Sequence, residues 1–208
     1  MTTPEDRARA AATIDPRSLA EARGAVEVRC HIFLRRLELL EAGIEKVRTS
    51  GDVRRYSLAL SMYLLASLPL KPEACPFCVQ KGGGCRCEGC GYAETHGGRC
   101  DADSSAFGQL AEAVDDLAGL LHRLGTDADA GAADPKDARG GLRSSIDGSR
   151  DAAVRLLAEV AGADVAGLME AKRGYIEAIL DAIPTGIIGS GEVDESLEGV
   201  RGKLAGYW

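Results

Sequence analysis

The chain has 208 residues, 45% of them hydrophobic, and a net charge of −7 at neutral pH. That length and apolar share suffice for one domain with a real hydrophobic core, so we expect a fold that does not depend on metal alone. The acidic balance argues against nucleic acids and anionic membranes as general partners, because both require a positively charged surface.

The first segment, residues 1–14, is polar and charged, and we predict that it is disordered. It lacks the apolar stretch of a signal peptide, and the chain contains no apolar run of about 18 residues that could span a membrane. We therefore expect a cytoplasmic protein, in which cysteines stay reduced and can bind metal.

Residues 15–70 are predicted to form a helical hairpin. Asp15 followed by proline is a helix start, because aspartate caps the amino end and proline fits the first helical position. The helix should continue to Arg48 along apolar residues spaced by three and four, which are Val26, Cys30, Phe33, Leu37, Leu40, Ile44 and Val47. A second helix should follow a turn at 49–52. Cys30 is interpreted as a buried structural thiol of this stripe.

Residues 104–208 are predicted to hold the remaining helices. A first helix should stop at the glycine of position 125, and the Gly-, Asp-, Ala- and Ser-rich stretch 125–149 is interpreted as a flexible linker. Further helices are predicted at 150–161 and 164–183. The last helix carries an apolar stripe made of Val193, Leu197, Val200 and Leu204.

Together these elements predict an all-α fold, an up-down helical bundle of five or six helices. Residues 71–103, which we call the cysteine segment, are predicted to be an inserted Cys-rich, metal-binding loop between the second and third helices.

Six of the seven cysteines lie in the cysteine segment, and they are Cys75, Cys78, Cys85, Cys87, Cys90 and Cys100. Structural zinc needs four Cys or His donors at tetrahedral corners, and each Cys-x2-Cys turn supplies two. The pairs Cys75–Cys78 and Cys87–Cys90 resemble the zinc knuckles of zinc ribbons and rubredoxins. Gly89 and Gly91 fit such knuckles, because glycine accepts the unusual φ values that turn backbone amides toward sulfur. We predict that these cysteines bind zinc.

His96 lies in the same segment and is a further candidate, either as a metal ligand or as a hydrogen-bond partner of a thiolate. Taken as two halves of three, the six cysteines resemble the binuclear zinc cluster of fungal DNA-binding regulators, in which bridging thiolates serve two zinc ions. The resemblance covers residues 75–100, with only Arg86 between the halves and without the basic segment that reads DNA in that family. One Zn²⁺ ion and two Zn²⁺ ions thus remain alternatives.

An iron–sulfur cluster is the alternative cofactor, because cubane clusters are also held by cysteines at Cys-x2-Cys spacing. The chain has no ferredoxin-type Cys-x2-Cys-x2-Cys run, and the knuckle glycines favour zinc. Cys75 and Cys78 also have the form of a glutaredoxin-like redox pair. That chemistry needs a preceding strand, and here a helix and prolines precede the pair.

The chain contains no nucleophile elbow, zincin motif or nucleotide-binding fingerprint, so an enzymatic activity is left open but is not favoured. We expect a non-enzymatic binding or regulatory module that presents the cysteine segment to a protein partner. The alternative is an iron–sulfur protein in electron transfer or in redox or gas sensing. The apolar stripe of the first helix is also compatible with a homodimer.

Overall fold

The computed structural model describes residues 2–82, 88–126 and 134–208. Its helices in chain order are α1 (Pro4–Ala11), α2 (Pro16–Ile44), α3 (Ser50–Ala66), α4 (Pro76–Gln80), α5 (Gly91–Thr95), α6 (Ala106–Thr126), α7 (Pro135–Val160), α8 (Val165–Asp181), α9 (Thr185–Ile188) and α10 (Gly191–Leu204). A 3₁₀ turn at Pro72–Ala74 precedes α4, and the described ranges contain no strand. The predicted all-α class is confirmed.

The long helices pack against one another around a shared hydrophobic core. Helix α7 contacts α2, α3 and α8, while α6 contacts α3 and α10. The fully buried side chains of this core are mostly leucine and isoleucine, among them Leu37, Ile44, Leu60, Leu64, Leu110, Leu117, Leu121, Leu142 and Ile146. Because three long helices lie against α7, that helix is central to the packing.

Helix α2 starts where its capping residue predicts, whereas α3 begins at Ser50, inside the turn predicted at 49–52. The Asp15 carboxylate accepts a hydrogen bond from the Ser18 amide at 2.9 Å and so caps α2. Helix α2 ends at Ile44, earlier than the predicted Arg48. The amides of Arg48 and Thr49 both donate to Asp52, whose side chain completes a capping box with Thr49 at the start of α3.

The N-terminal segment 1–14 is helical over Pro4–Ala11, and the prediction that it is disordered is wrong in this stretch. Thr3 and Asp6 form a capping box, with the Asp6 amide donating to Thr3 Oγ1 at 3.1 Å and the Thr3 amide donating to Asp6 Oδ2 at 3.0 Å. Ala10 is fully buried, and α1 packs on α5 and α8. The polar composition of residues 1–14 therefore led to a wrong prediction, because Pro4–Ala11 form a capped helix that packs on α5 of the cysteine segment.

The predicted flexible linker 125–149 is a second error of the sequence interpretation. Helix α7 begins at Pro135, so residues 135–149 are continuous with the helix predicted at 150–161. Its buried stripe outweighs the low helix propensity of its glycines and aspartates, and consists of Ala138, Leu142, Ser145, Ile146, Ser149, Ala152, Ala153, Leu156 and Val160. Residues 127–133, the remaining part of that predicted linker, lie outside the described residues.

The C-terminal helices follow the prediction. Helix α8 lies within the predicted 164–183 and is capped by Asp164, which accepts from the Gly167 amide at 2.7 Å. The four residues of the predicted stripe of α10 are all buried. Beyond α10, Tyr207 and Trp208 are buried as well, and they bring the end of this chain back to the cysteine segment.

Candidate functional site

The described part of the cysteine segment contains the 3₁₀ turn and two short helices, α4 and α5, where a loop was predicted. Cys75 is the N-cap residue of α4, and Cys90 is the N-cap residue of α5. Helix α4 packs on α2, and α5 packs on α1. Phe77 and Tyr92 anchor these helices in the core, with each side chain 2% exposed. The segment thus has apolar anchors of its own.

Gly89 and Gly91 have different roles in this arrangement. Gly89 has a φ of +65°, in the left-handed region that glycine favours, as predicted for a knuckle. Gly91 instead opens α5, and a Cβ atom at this position would lie only 2.5 Å from Thr13 Oγ1. Position 91 therefore requires glycine because Thr13, which follows α1, lies so close to it, and not because of its backbone conformation.

The described thiols of the cysteine segment lie near one another, on α4, at the start of α5 and before α6. The Cys75 thiol donates a hydrogen bond to Cys78, and the Cys78 thiol donates to Cys100. Cys90 is close enough to act on Cys78 electrostatically. We call Cys75, Cys78, Cys90 and Cys100 the thiol cluster.

In the absence of a cation, these surroundings favour the protonated forms of Cys75 and Cys78. The hydrogen bond to Cys78, followed by burial, raises the pKa of Cys75 well above its usual value. The hydrogen bond to Cys100 is the main cause that raises the pKa of Cys78 to about 12. A redox-active Cys-x2-Cys pair needs a lowered thiol pKa, so the glutaredoxin-like interpretation of this pair is not supported.

Lys172 of α8 lies against the thiol cluster and is the most unusual charged residue of the molecule. Its side chain is 1% exposed, and its Nζ donates to the backbone oxygen of Ala74 at 2.7 Å. Burial lowers the pKa of Lys172, and Cys75, Cys78 and Cys100 oppose that shift. Within the described ranges, no carboxylate forms an ion pair with this ammonium group.

Tyr207 closes the same region from the end of the chain. Its side chain is 1% exposed, and Lys172 Nζ lies 5.8 Å from the centroid of its ring. Its hydroxyl has no hydrogen-bond partner among the described residues. Burial raises the pKa of Tyr207 well above its usual value, and Cys75 and Cys100 raise it further. The hydroxyl group therefore lies in the electrostatic range of the thiols.

His96 is the C-cap residue of α5. Its ring stacks between Tyr92 and Trp208, with centroid distances of 4.0 Å and 5.2 Å. Burial lowers the pKa of His96 to about 4, and no described cysteine is among the groups that shift it. Its Nδ1 lies 2.7 Å from Thr95 Oγ1, which itself donates to the Gly91 oxygen at 2.8 Å. Nδ1 therefore carries the proton and donates to Thr95, and the neutral ring presents the lone pair of Nε2.

Within the part of the chain that the structure describes, no group of three or more His, Cys, Asp or Glu side chains is arranged so that it could hold a metal ion. The thiols of Cys75, Cys78 and Cys100 are linked to one another by hydrogen bonds. Cys85 and Cys87, two of the predicted ligands, lie outside the described residues.

Cys30 is 4% exposed on the buried stripe of α2, and burial raises its pKa to about 11. Its predicted burial is confirmed, and its purely structural role stays a prediction. Lys172 and Tyr207, in contrast, were missed by the sequence interpretation. Lys172 had a local signal, because it interrupts an apolar stripe of α8 formed by Val165, Leu168, Met169, Tyr175, Ile176 and Ile179.

No known protein family, curated protein or solved structure matches this chain. Among the described helices, none combines the length and the apolar character that crossing a membrane requires.

Proposed function

We propose that this is a zinc-binding helical protein, in which thiolates of the thiol cluster hold the cysteine segment on the helical body, and that it acts as a non-enzymatic binding or regulatory module. The observation that carries the proposal is the fully buried Lys172 beside Cys75, Cys78 and Cys100.

A buried ammonium group is costly unless an anion compensates it. In the described ranges, the ionisable groups that favour the charged form of Lys172 are Cys75, Cys78 and Cys100. Neutral thiols carry no charge to compensate it, and several adjacent thiolates would repel one another. A divalent cation resolves both problems, because it deprotonates its thiol ligands and holds them together with a net negative charge.

The thiol cluster offers the number of donors that a closed zinc site needs. Zinc at about 2.3 Å from four sulfurs places neighbouring sulfurs roughly 3.8 Å apart. Thiols that already interact can reach this spacing by rotation of their side chains, starting from the hydrogen-bonded chain of Cys75, Cys78 and Cys100. Cys90 would supply the fourth sulfur. Cys85, Cys87 and His96 stay predicted ligands. A second zinc ion would need such further donors.

A site closed by four thiolates favours a structural role, because catalytic zinc keeps one coordination position for water or substrate. The two buried tyrosines near the sulfurs, Tyr92 and Tyr207, support the same role, since they leave little room there for a substrate. A protein partner and a homodimer stay predictions.

Elemental analysis of the protein purified under reducing conditions without oxygen tests the proposal. We expect one or two zinc ions per chain in the wild type. Cys78→Ser should lower the zinc content, while Cys30→Ser, a matched change of a buried thiol outside the cluster, should leave it unchanged. Iron with acid-labile sulfide and a brown colour would instead show that the cofactor is an iron–sulfur cluster. Protein free of both metals would overturn the proposal.

A further inference from the structure

We propose that Tyr207 is a positioning residue of the metal site, whose hydroxyl donates a hydrogen bond to a metal-bound thiolate and works together with the Lys172 ammonium group. The inference rests on the proposed metal site. It names the two residues next to that site that set its affinity for the metal ion.

The hydroxyl of Tyr207 is the first observation. It is buried and has no hydrogen-bond partner in the described residues, a state that costs about 1–3 kcal/mol. The cysteines that act on it are Cys75, Cys78 and Cys100. A neutral thiol is a weak acceptor, whereas a thiolate accepts a charge-assisted hydrogen bond. Metal binding would therefore supply the acceptor that this hydroxyl lacks.

The second observation is the fixed position of the Tyr207 ring. Its backbone amide donates to the Leu204 oxygen at 3.0 Å, and its backbone oxygen accepts from Tyr92 Oη at 2.8 Å. The Phe107 ring packs against it with centroids 6.4 Å apart. Since backbone and ring are both held, the hydroxyl is oriented before a metal binds, and little entropy is lost when it donates to sulfur.

Lys172 and Tyr207 would stabilise the negative charge of the metal-bound thiolates in different ways. A zinc ion with four thiolates carries a net charge of about −2, of which one buried ammonium group compensates half. A neutral hydroxyl donor withdraws further electron density from the sulfur without adding charge. Hydrogen bonds around metal ligands typically change metal affinity by about 10- to 100-fold.

The test compares Tyr207→Phe with Tyr175→Phe in full-length, metal-free protein. Tyr175 is a suitable control, because it is another buried tyrosine near Lys172, on α8, but its hydroxyl already lies 3.1 Å from Ser67 Oγ. Zinc is titrated against a competing chelator, and the fluorescence of Trp208, the only tryptophan, follows binding next to Tyr207. We expect Tyr207→Phe to weaken zinc binding about 10-fold or more at unchanged stoichiometry, and Tyr175→Phe to leave it unchanged.

Cobalt substitution provides a readout that a purely structural role of Tyr207 would not move. A hydrogen bond stabilises the sulfur lone pairs, so its loss in Tyr207→Phe should shift the sulfur-to-cobalt charge-transfer band to lower energy. Lys172→Gln should shift the band in the same direction, because the thiolates lose a nearby positive charge. Equal affinity and identical bands in wild type and Tyr207→Phe would overturn the inference alone. A wild type that binds neither zinc nor cobalt would overturn the proposed function as well.

Discussion

Cys30 and Cys78 lie in two regions of the molecule that differ in how their polar groups are satisfied. Near Cys30, the rings of Phe33 and Tyr175 pack edge to face at 6.4 Å, and the Tyr175 hydroxyl lies 3.1 Å from Ser67 Oγ. Near Cys78, the Tyr207 hydroxyl has no partner in the described residues. In the first region protein atoms satisfy the polar groups, whereas in the second one hydroxyl has no partner among the described residues, and the proposed metal site would supply one.

Helix α8 contributes to both regions within one turn. Tyr175 faces the surroundings of Cys30, and Lys172, three residues earlier, faces the thiol cluster. The same helix therefore meets a self-sufficient core on one side and a buried charge without a carboxylate partner, among the described residues, on the other. Perturbations of one region can be compared directly with perturbations of the other.

Removal of the proposed zinc should produce the largest difference between the two regions. Structural zinc can contribute on the order of 10 kcal/mol to local folding. With a chelator under reducing conditions, we expect backbone amides of α4 and α5 to lose most of their protection from hydrogen exchange, while α7 and α8 keep theirs. Unchanged protection of α5 would mean that Phe77 and Tyr92 are sufficient anchors.

Ile146→Ala should destabilise the helical body without affecting the metal site. Ile146 is fully buried on α7, and shortening such a side chain costs about 2–5 kcal/mol. Denaturant unfolding measures this loss, and zinc content should stay at the wild-type value. Val154→Ala on the same helix is the control, because Val154 is 54% exposed and its truncation should cost at most about 0.5 kcal/mol. If residues 135–149 acted as a linker, both variants would be equally stable.

The errors and successes of the sequence interpretation have physical causes. Capping residues such as Asp15 and Asp164 act on neighbouring amides, so their helix starts could be predicted from adjacent sequence. The 125–149 error arose because composition was weighed above the spacing of Ala138, Leu142 and Ile146, which is four residues each time.

In the candidate site, too, some residues could be predicted from local sequence, and others are brought there only by tertiary packing. The cysteine spacing pointed to Cys75 and Cys78, and the structure links Cys75 to Cys78 and Cys78 to Cys100. Lys172 and Tyr207 reach these thiols from about a hundred residues further along the chain, as the bond from Lys172 to Ala74 illustrates. Such a meeting depends on how α8 and the C-terminal residues pack, which no local pattern specifies.

The stability of the region around His96 should decrease in mild acid. Burial lowers the pKa of His96 from 6.5 to about 4, so below pH 6.5 the unfolded chain binds a proton that the folded chain does not. The contribution of the neutral ring is therefore complete above pH 6.5 and decreases as the pH falls toward 4, by about 3 kcal/mol in total.

His96→Phe isolates this effect, because phenylalanine can occupy the same stack between Tyr92 and Trp208 without titrating. Urea unfolding of metal-free protein at pH 7 and pH 5 should show a loss of about 2 kcal/mol in the wild type beyond that of the variant. Equal losses would show that His96 can be charged in the folded protein, with Asp6 offsetting the repulsion from Arg7.

Cys30→Ala should have the smallest effect and defines the difference between the two cysteine regions most directly. Loss of one buried sulfur from an apolar stripe costs about 1–2 kcal/mol, because only packing and burial are removed. We expect a corresponding decrease in the free energy of unfolding, measured with denaturant, and an unchanged zinc content. A loss of zinc in this variant would place Cys30 among the ligands. It would also contradict the separation of the thiol cluster from the surroundings of Tyr175, on which the assignment of both regions depends.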